Sequence, residues 1–356
     1  MRPGTTFSKR SSASSSNATS RIKVSDPVTG ATQRADDPET DTRSVEVRLP
    51  ASTSNLGAGF DCFGLALQLY LTIRATVARQ SKVKCRVRVR GDEENATLSR
   101  TGDNLIYRAM AYTAGREGVT LPPVYLAVQN EIPISRGLGG SAAAIVGGIK
   151  LCELLCNRAL SEAKVLQYAA EFEGHPDNIA ATLLGGFVVT CTGRKGEVIA
   201  IKRAWPSELR IIIVSPDPRV ETKLARAALP RVINRADAVY NLQRTALFNA
   251  ALGEQRYDLL WEAMQDRLHQ QRRQSLVPGL GQALALPQRP GLLGLGLSGA
   301  GPSVLAIANK NSEDIAETIV NCFRGKGIKC TVRRLEIDKE GCQTLLRKQR
   351  SARAEI

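Results

Sequence analysis

The feature that most constrains the fold of this chain is a glycine-rich segment at residues 131–143, EIPISRGLGGSAA. It joins an apolar, strand-like run to an alanine-rich run that predicts a helix from about residue 141 to 156. Gly137, Gly139 and Gly140 allow a tight turn whose backbone N–H groups approach an anion. The helix start adds unpaired N–H donors and a positive dipole end. The segment therefore predicts a phosphate site that needs no cationic side chain.

Two large classes of phosphate-binding protein are excluded by their own signatures. The sequence contains no GxxxxGK[ST] motif, so it is not a P-loop NTPase. It also lacks the HRD and DFG signatures of protein kinases. An ordinary glycine-rich loop that caps a structural helix remains the alternative interpretation of residues 131–143.

The overall composition is that of a soluble globular enzyme. The 356 residues are 43% hydrophobic and 23% charged, which allows one large core or two fused lobes. The net charge of +15 suits an anionic substrate. Aromatic residues make up only 4%, and no basic–aromatic pattern repeats, so we expect no nucleic acid partner. No apolar run reaches the roughly 18 residues of a membrane helix, so we expect no membrane partner.

Cysteine usage and the N-terminal segment bear on the compartment. The eight cysteines form no CxxC pair and have no zinc-ligand spacing, so we expect reduced thiols in a cytoplasmic protein. Residues 1–43 are rich in Ser, Thr and Arg and poor in long apolar side chains, which predicts a disordered basic extension. Residues 1–25 carry basic residues and no acidic ones, as transit peptides do, so an organellar location is the alternative.

Residues 133–143, PISRGLGGSAA, resemble the PxxxGLGSSAA signature of the GHMP kinase superfamily, with Gly140 in place of its first serine. Three other segments extend the resemblance. Residues 50–64 (PASTSNLGAGFDCFG) and 171–187 (EFEGHPDNIAATLLGGF) are similar to motifs of the homoserine kinase family within it. Residues 296–303 (GLSGAGPS) resemble the third GHMP motif, which we expect to pack beside the phosphate loop. The resemblance covers about residues 45–335.

Strand and helix signals intermix without a regular βαβ alternation, which predicts an α+β fold. The resemblance implies two lobes with the site in the cleft between them. An N-terminal, ATP-side α+β lobe would span residues 44–205, and a C-terminal ferredoxin-like lobe would span residues 206–345. Residues 346–356 are expected to form a basic tail. Homodimers are common in the family, so we expect one here.

The resemblance implies transfer of the γ-phosphate of ATP to the side-chain hydroxyl of L-homoserine, in threonine biosynthesis, with Mg²⁺. It implies catalytic roles for Glu171, Ser141 and Asn55, with Ser141 and Glu171 as metal ligands. Glu173 is the alternative ligand, because the alignment has a local gap there. No residue is assigned as general base. The implied ATP-binding residues are Pro133, Ile134, Ser135, Arg136, Gly137, Leu138, Gly139, Gly140, Ser141, Ala142 and Ala143.

The residues expected to bind the amino-acid substrate are Asn55, Asp61, His175, Arg226 and Arg273. A carboxylate at 61 pairs with an ammonium group, and the amide at 55 fixes a hydroxyl or carboxylate. The planar donor forks of the two arginines fit a substrate carboxylate. A plain turn between strands, a solvated helix face and a capping or core histidine are the respective alternatives.

Two rival functions remain open from the sequence. The first is another GHMP enzyme, of the mevalonate, shikimate or diphosphomevalonate type, against which the Asn55 and Asp61 pair argues. The second is a catalytically weakened relative that acts as a binding or regulatory protein. Gly140 keeps this second possibility open because it removes one hydroxyl from the phosphate loop.

Overall fold

The computed structural model describes residues 43–78, 81–90, 95 and 97–345. The expectations for residues 1–42 and for the basic tail at 346–356 lie outside the described residues. All described residues belong to one unit of the chain, at Thr40–Ile356. Within the described ranges, no helix is long and apolar enough to cross a membrane.

Strands and helices alternate irregularly along the chain, in agreement with the predicted α+β class. In chain order the elements are β1 (Ser44–Asn55), β2 (Gly59–Val77), β3 (Cys85–Arg90), α1 (Leu105–Arg116), β4 (Val124–Asn130), α2 (Gly140–Leu155), α3 (Glu162–Glu173), α4 (Asp177–Leu184), β5 (Phe187–Thr192), β6 (Val198–Arg203), β7 (Arg210–Pro216), α5 (Thr222–Ala227), α6 (Arg235–Gly253), a 3₁₀ turn (Tyr257–Leu259), α7 (Leu260–Ala263), α8 (Gln270–Arg273), α9 (Leu280–Leu284), β8 (Leu292–Leu297), β9 (Val304–Ala308), α10 (Ser312–Arg324), β10 (Cys330–Leu335) and β11 (Gln343–Thr344).

The first sheet has the strand order β11-β1-β2-β4-β3, with β5 paired to β2 and β6 paired to β5. In β2, buried Leu71, Ile73 and Ala75 alternate with more exposed residues, so one face of the sheet is covered. Helix α2 packs on that face. A Cβ on Gly147 of α2 would lie 2.6 Å from the Ile73 side chain, and this close approach explains the small residues of the helix.

The second sheet is antiparallel, in the order β10-β7-β9-β8. Strand β9 is buried along its whole length, and α10 buries Ile315, Ile319 and Phe323 in the same core. After β10 the chain returns to the first sheet, where β11 pairs with β1. The predicted second lobe therefore ends in the sheet of the first, and the lobe boundaries at 205 and 345 stay a prediction.

Candidate active site

The glycine-rich loop ends at the N-terminus of α2, as predicted. Gly137 and Gly139 have φ of +74° and +68°. A Cβ would lie 2.0 Å from the Ser298 carbonyl oxygen at the first and 2.0 Å from Ser52 Oγ at the second. Only glycine fits these two positions. The Ala143 N–H forms an intrahelical hydrogen bond with the Gly139 carbonyl (3.0 Å). The preceding residues, 139–142, line a cavity. The donor end of α2 is thus directed at this cavity.

The third glycine motif packs against this loop and against the turn between β1 and β2, as predicted. The Ser298 hydroxyl donates to the Gly137 carbonyl (2.6 Å). The Gly299 N–H donates to the Ser54 carbonyl (3.1 Å), and the Asn55 side-chain amide donates to the Gly299 carbonyl (2.8 Å). The motif therefore connects the loop to the turn that carries the predicted substrate residues.

One cavity of about 370 Å³ contains both ends of the predicted site. Its lining includes apolar residues, such as Leu71, Val89 and Val128, as well as charged ones. The predicted residues that line it are Asn55, Asp61, Pro133, Ile134, Ser135, Arg136, Gly137, Leu138, Gly139, Gly140, Ser141, Ala142, His175, Arg226 and Arg273. Ala143 does not line it, because its side chain is fully buried in the core beneath the loop.

Arg136 differs from its neighbours in where its side chain goes. It is buried and donates a hydrogen bond to the Pro216 carbonyl at the end of β7. Arg136 lines the cavity with the rest of the loop, and its guanidinium joins the loop to the second sheet. Sequence reasoning assigned Arg136 to ATP as part of the loop, and the structure gives its side chain this structural contact.

Asp61 and Arg226, the residues predicted to bind opposite ends of a zwitterion, pair with each other. The Arg226 guanidinium donates to both carboxylate oxygens of Asp61, at 2.7 and 3.2 Å. Both side chains remain about one-third exposed, at 34% and 36%. The Phe60 ring lies below this pair, 5.7 Å from the guanidinium carbon of Arg226. The pair is thus accessible from the cavity.

Arg273 is buried beside that pair, with 1% of its surface exposed. Its Nε donates to the Ala225 carbonyl (3.1 Å), and its Nη1 lies 3.2 Å from His269 Nδ1 and 3.3 Å from the Gly299 carbonyl. Burial, with a smaller contribution from the charge of Arg226, lowers the pKa of Arg273 to about 10. At neutral pH the guanidinium is therefore a buried cation at the cavity wall, suited to an anionic group.

Asn55 lies in the cavity wall, but both ends of its side-chain amide are used within the protein. Its oxygen accepts from the Asp61 N–H (3.1 Å), and its nitrogen donates to the Gly299 carbonyl. Asn55 is 3% exposed and has φ of +73°. The structure therefore gives it a role in shaping the turn that presents Asp61.

Glu171, the predicted metal ligand, does not line the cavity, so its role as a ligand stays a prediction. Its carboxylate accepts from the Tyr112 hydroxyl (2.5 Å), from Gln167 Nε2 (3.0 Å) and from Arg116. These contacts, the one from Tyr112 foremost, lower the pKa of Glu171. Glu173 lines the cavity instead. Residues two positions apart on a helix are separated by about 200° around its axis, so the carboxylates of Glu171 and Glu173 lie on opposite faces of α3.

Glu173, which is partly buried, lies in a polar cluster with the buried His175 and Asp177. Burial raises the pKa of the Glu173 carboxyl. His175 Nδ1 lies 3.3 Å from Asp177 Oδ1, and its Nε2 lies 3.8 Å from Glu173 Oε1. Burial alone would lower the pKa of His175, but the hydrogen bond and charge of Asp177 raise it overall. Within the described ranges, no group of three or more His, Cys, Asp or Glu side chains could hold a metal ion.

Sequence reasoning missed several residues that line the cavity: Phe60, Asp177, Asn178 and Thr222. Asn178 accepts from the Ser52 hydroxyl (2.9 Å) and donates to the Ser54 hydroxyl (2.9 Å), which fixes its amide against β1. Asp177 and Asn178 belong to the HPDN segment, so the motif itself was the signal that could have identified them.

Comparison with known proteins agrees with this geometry. Residues 104–186 match the GHMP kinases N terminal domain, and residues 248–328 match the GHMP kinases C terminal model. A homoserine kinase from Desulfitobacterium hafniense is 40% identical over 304 residues, which cover 85% of this chain and 100% of that protein. A homoserine kinase from Deinococcus radiodurans is 44% identical over 263 residues, covering 74% of this chain and 84% of that protein.

Among solved structures, a homoserine kinase from Cytophaga hutchinsonii superposes with a TM-score of 0.75 at 24% identity. The match covers 85% of this chain and 97% of that one, and it shows that the fold is shared. Together with the sequence relatives, it leads to one conclusion. The chain belongs to the homoserine kinase family of the GHMP kinases.

Proposed function

We propose that this chain transfers the γ-phosphoryl group of ATP to the side-chain hydroxyl of L-homoserine, as an ATP-dependent kinase of threonine biosynthesis. The observation that carries the proposal is that one and the same cavity is lined by the phosphate loop and by Asp61, Arg226 and Arg273. Phosphoryl transfer requires mainly positioning and charge stabilisation, and a shared cavity supplies the positioning.

In this proposal the phosphates of ATP bind the loop, and its base contacts the apolar residues of the cavity. The N–H groups of residues 139–142 are the anion donors, since they begin α2 and line the cavity. Leu71, Val89 and Val128 provide an apolar surface for a base. This orientation directs the terminal phosphate toward Asp61 and the arginines.

Homoserine is placed between the charged groups of the cavity. Its ammonium group would pair with the Asp61 carboxylate, and its carboxylate would accept hydrogen bonds from the guanidinium groups of Arg226 and Arg273. A zwitterion that enters between Asp61 and Arg226 replaces each partner of that ion pair with a group of the same sign. The desolvation cost of opening the pair is therefore offset by equivalent contacts.

Mg²⁺ is proposed as the metal, and the donor set of the cavity fits it. Mg²⁺ binds through one or two carboxylates together with substrate phosphates and water, so it needs no cage of three protein ligands. Glu173 and the exposed Ser141 both line the cavity and would hold it. When bound, the ion neutralises charge on the transferring phosphate.

The test is ADP release from purified full-length protein, measured in parallel with homoserine, threonine, mevalonate and shikimate. We expect turnover with homoserine. Turnover with mevalonate or shikimate alone would show that the acceptor is that compound and not homoserine. ATP binding without turnover on any of them would favour a binding protein. Asp61→Asn should raise the KM for homoserine about tenfold or more. The matched control is Asp258→Asn, which removes a carboxylate from an exposed arginine pair, Arg256–Asp258.

A homodimer and a cytoplasmic location are proposed alongside this function. The dimer is supported by the family resemblance, and equilibrium sedimentation of the full chain tests it. The location is supported by the eight cysteines, all of which are free thiols. Fractionation of cells that express the tagged chain distinguishes it from an organellar location.

A further inference from the structure

We propose that His269 is a positioning residue for the amino-acid substrate, because it fixes the Arg273 guanidinium to the turn that carries Asp61. The imidazole is fully buried. Its Nε2 lies 2.9 Å from the Gly57 carbonyl oxygen, and its Nδ1 lies 3.2 Å from Arg273 Nη1. This inference rests on the proposed function, since it concerns how a substrate carboxylate is recognised.

The two contacts define one state of the ring. A carbonyl oxygen only accepts, so Nε2 carries the hydrogen and donates to Gly57. A guanidinium only donates, so Nδ1 is the acceptor for Arg273. The neutral Nε2–H tautomer satisfies both partners. Burial lowers the pKa of His269, which also favours the neutral ring. A protonated ring would place an N–H against the guanidinium.

The backbone segment that carries the ring is held in place by Asp266. Asp266 Oδ2 accepts from the His269 N–H (3.0 Å) and from the Gln270 N–H (2.7 Å). Asp266 Oδ1 accepts from the Asn241 amide (2.7 Å) and from the Leu268 N–H (3.0 Å). The imidazole therefore has a fixed origin from which to position Arg273.

His269 contacts the substrate turn a second time through an aromatic ring. Phe60 stacks on the imidazole with a centroid separation of 5.1 Å and an interplanar angle of 28°. The guanidinium carbon of Arg273 lies 5.5 Å from the same Phe60 ring. His269 thus touches both parts of the proposed zwitterion site, the turn at 57–61 and Arg273. A histidine that only filled core volume would not need both ring nitrogens for these two partners.

The kinetic test compares His269→Leu with His269→Gln. Leucine removes both hydrogen bonds, so we expect the KM for homoserine to rise about tenfold or more. The KM for ATP should stay within about twofold of the wild type, and kcat within about threefold. Glutamine offers one donor and one acceptor, so it should recover most of the homoserine KM. Equal losses for both substrates, or no rescue by glutamine, would overturn the proposal.

The matched control is Gln270→Met, at the first residue of α8, directly after His269. Gln270 Oε1 accepts from the Leu297 N–H (2.6 Å), so this change loosens α8 against β8 without removing a partner of Arg273. We expect comparable loss of stability in Gln270→Met and no selective change in the homoserine KM. A selective change there would mean that general loosening of α8 suffices, which refutes the role of His269.

A spectroscopic test separates this inference from the proposed function. The chain has only two histidines, so the long-range ¹H–¹⁵N spectrum of ¹⁵N-histidine protein is assigned with the His175→Gln variant. We expect the Nε2–H tautomer for His269 at pH 7, and a shift of its Nδ1 signal in Arg273→Lys. The Nδ1–H tautomer would exclude the contact with Arg273. If the wild type fails to phosphorylate homoserine, the proposed function fails, while the tautomer still decides this contact.

Discussion

Two adjacent glycines of the phosphate loop should respond oppositely to the same substitution. Gly139 precedes α2 in the left-handed region, with φ of +68°. Gly140 begins the helix. A Cβ at Gly139 would lie 2.0 Å from Ser52 Oγ, whereas the nearest atom to a Cβ at Gly140 is Ile132 Cγ2 at 3.7 Å, an ordinary contact. The comparison of Gly139→Ala with Gly140→Ala therefore tests the loop geometry directly.

The magnitudes follow from these two environments. The left-handed conformation costs a non-glycine residue about 1–2 kcal/mol. The overlap with Ser52 adds about 1–3 kcal/mol, because forced repacking displaces neighbouring groups. Ser52 cannot move freely, since its hydroxyl donates to Asn178 Oδ1. Gly139→Ala should thus destabilise the protein by roughly 2–5 kcal/mol. Gly140→Ala should stabilise it by about 0.4–1 kcal/mol, because alanine has less conformational entropy to lose on folding.

Urea unfolding of the three proteins measures both free-energy changes, with the m-value as a check on two-state behaviour. A second variant separates the two costs at Gly139. Combining Gly139→Ala with Ser52→Ala removes the overlap with Oγ but leaves the backbone strain, so part of the stability should return as a coupling energy. Destabilisation of similar size in Gly139→Ala and Gly140→Ala would show that this description of the loop is wrong.

Three further predictions concern single side chains. Glu173→Gln should lower kcat about hundredfold or more in the ADP-release assay, because a carboxylate that lines the cavity is lost, while Glu171→Gln should stay within about twofold; the reverse ranking would favour Glu171 as the ligand. Gly140→Ser, which inserts the family's hydroxyl without a close contact, should leave the KM for ATP equal or lower, and a marked rise would contradict this. Burial lowers the pKa of His269 below its usual 6.5, so the unfolded chain takes up a proton first on acidification. Stability present above about pH 6.5 is thus lost as the pH falls toward the folded-state pKa. His269→Gln should lack this part of the slope in urea unfolding at pH 7.5 and 5.5, and an unchanged slope would refute it.

The sequence was most informative where short-range geometry decides the outcome. The glycine loop and its helix were predicted from local geometry, because tight turns leave few residue choices, whereas the packing of the third motif was implied by the resemblance. For the metal ligand, the sequence favoured Glu171 with Glu173 as the alternative. It could not decide which of them faces the cavity, since they differ by two positions and only the rotation of α3 decides this. A local gap in the resemblance removed the register that would have fixed it. Helix phase is set by packing of Val165, Leu166 and Ala169 in the core.

Contacts between residues far apart in the chain could not be predicted from the sequence either. Nothing in the local pattern indicates that Arg226 pairs with Asp61, which lies 165 residues away. The same holds for the contact of His269 with Gly57, across 212 residues. Residue types predicted that a zwitterion site exists, because a carboxylate and two guanidinium groups are its natural partners. They could not predict that Asp61 and Arg226 pair with each other.

Three of the seven non-glycine residues with positive φ in the described part of the chain line the cavity, and the structure shows what supports them. Asn55, Asp61 and Ser135 all line the cavity and have φ of +73°, +52° and +55°. Each such residue costs about 1–3 kcal/mol and persists only where its surroundings hold it. The Asn55 amide, bonded to Asp61 and Gly299, is one such support. The turn therefore presents Asp61 in a conformation that the isolated chain would avoid, and the support comes from the third glycine motif. Loss of this support should reach the substrate end and the phosphate loop together, since Gly299 is adjacent to Ser298, which anchors the loop.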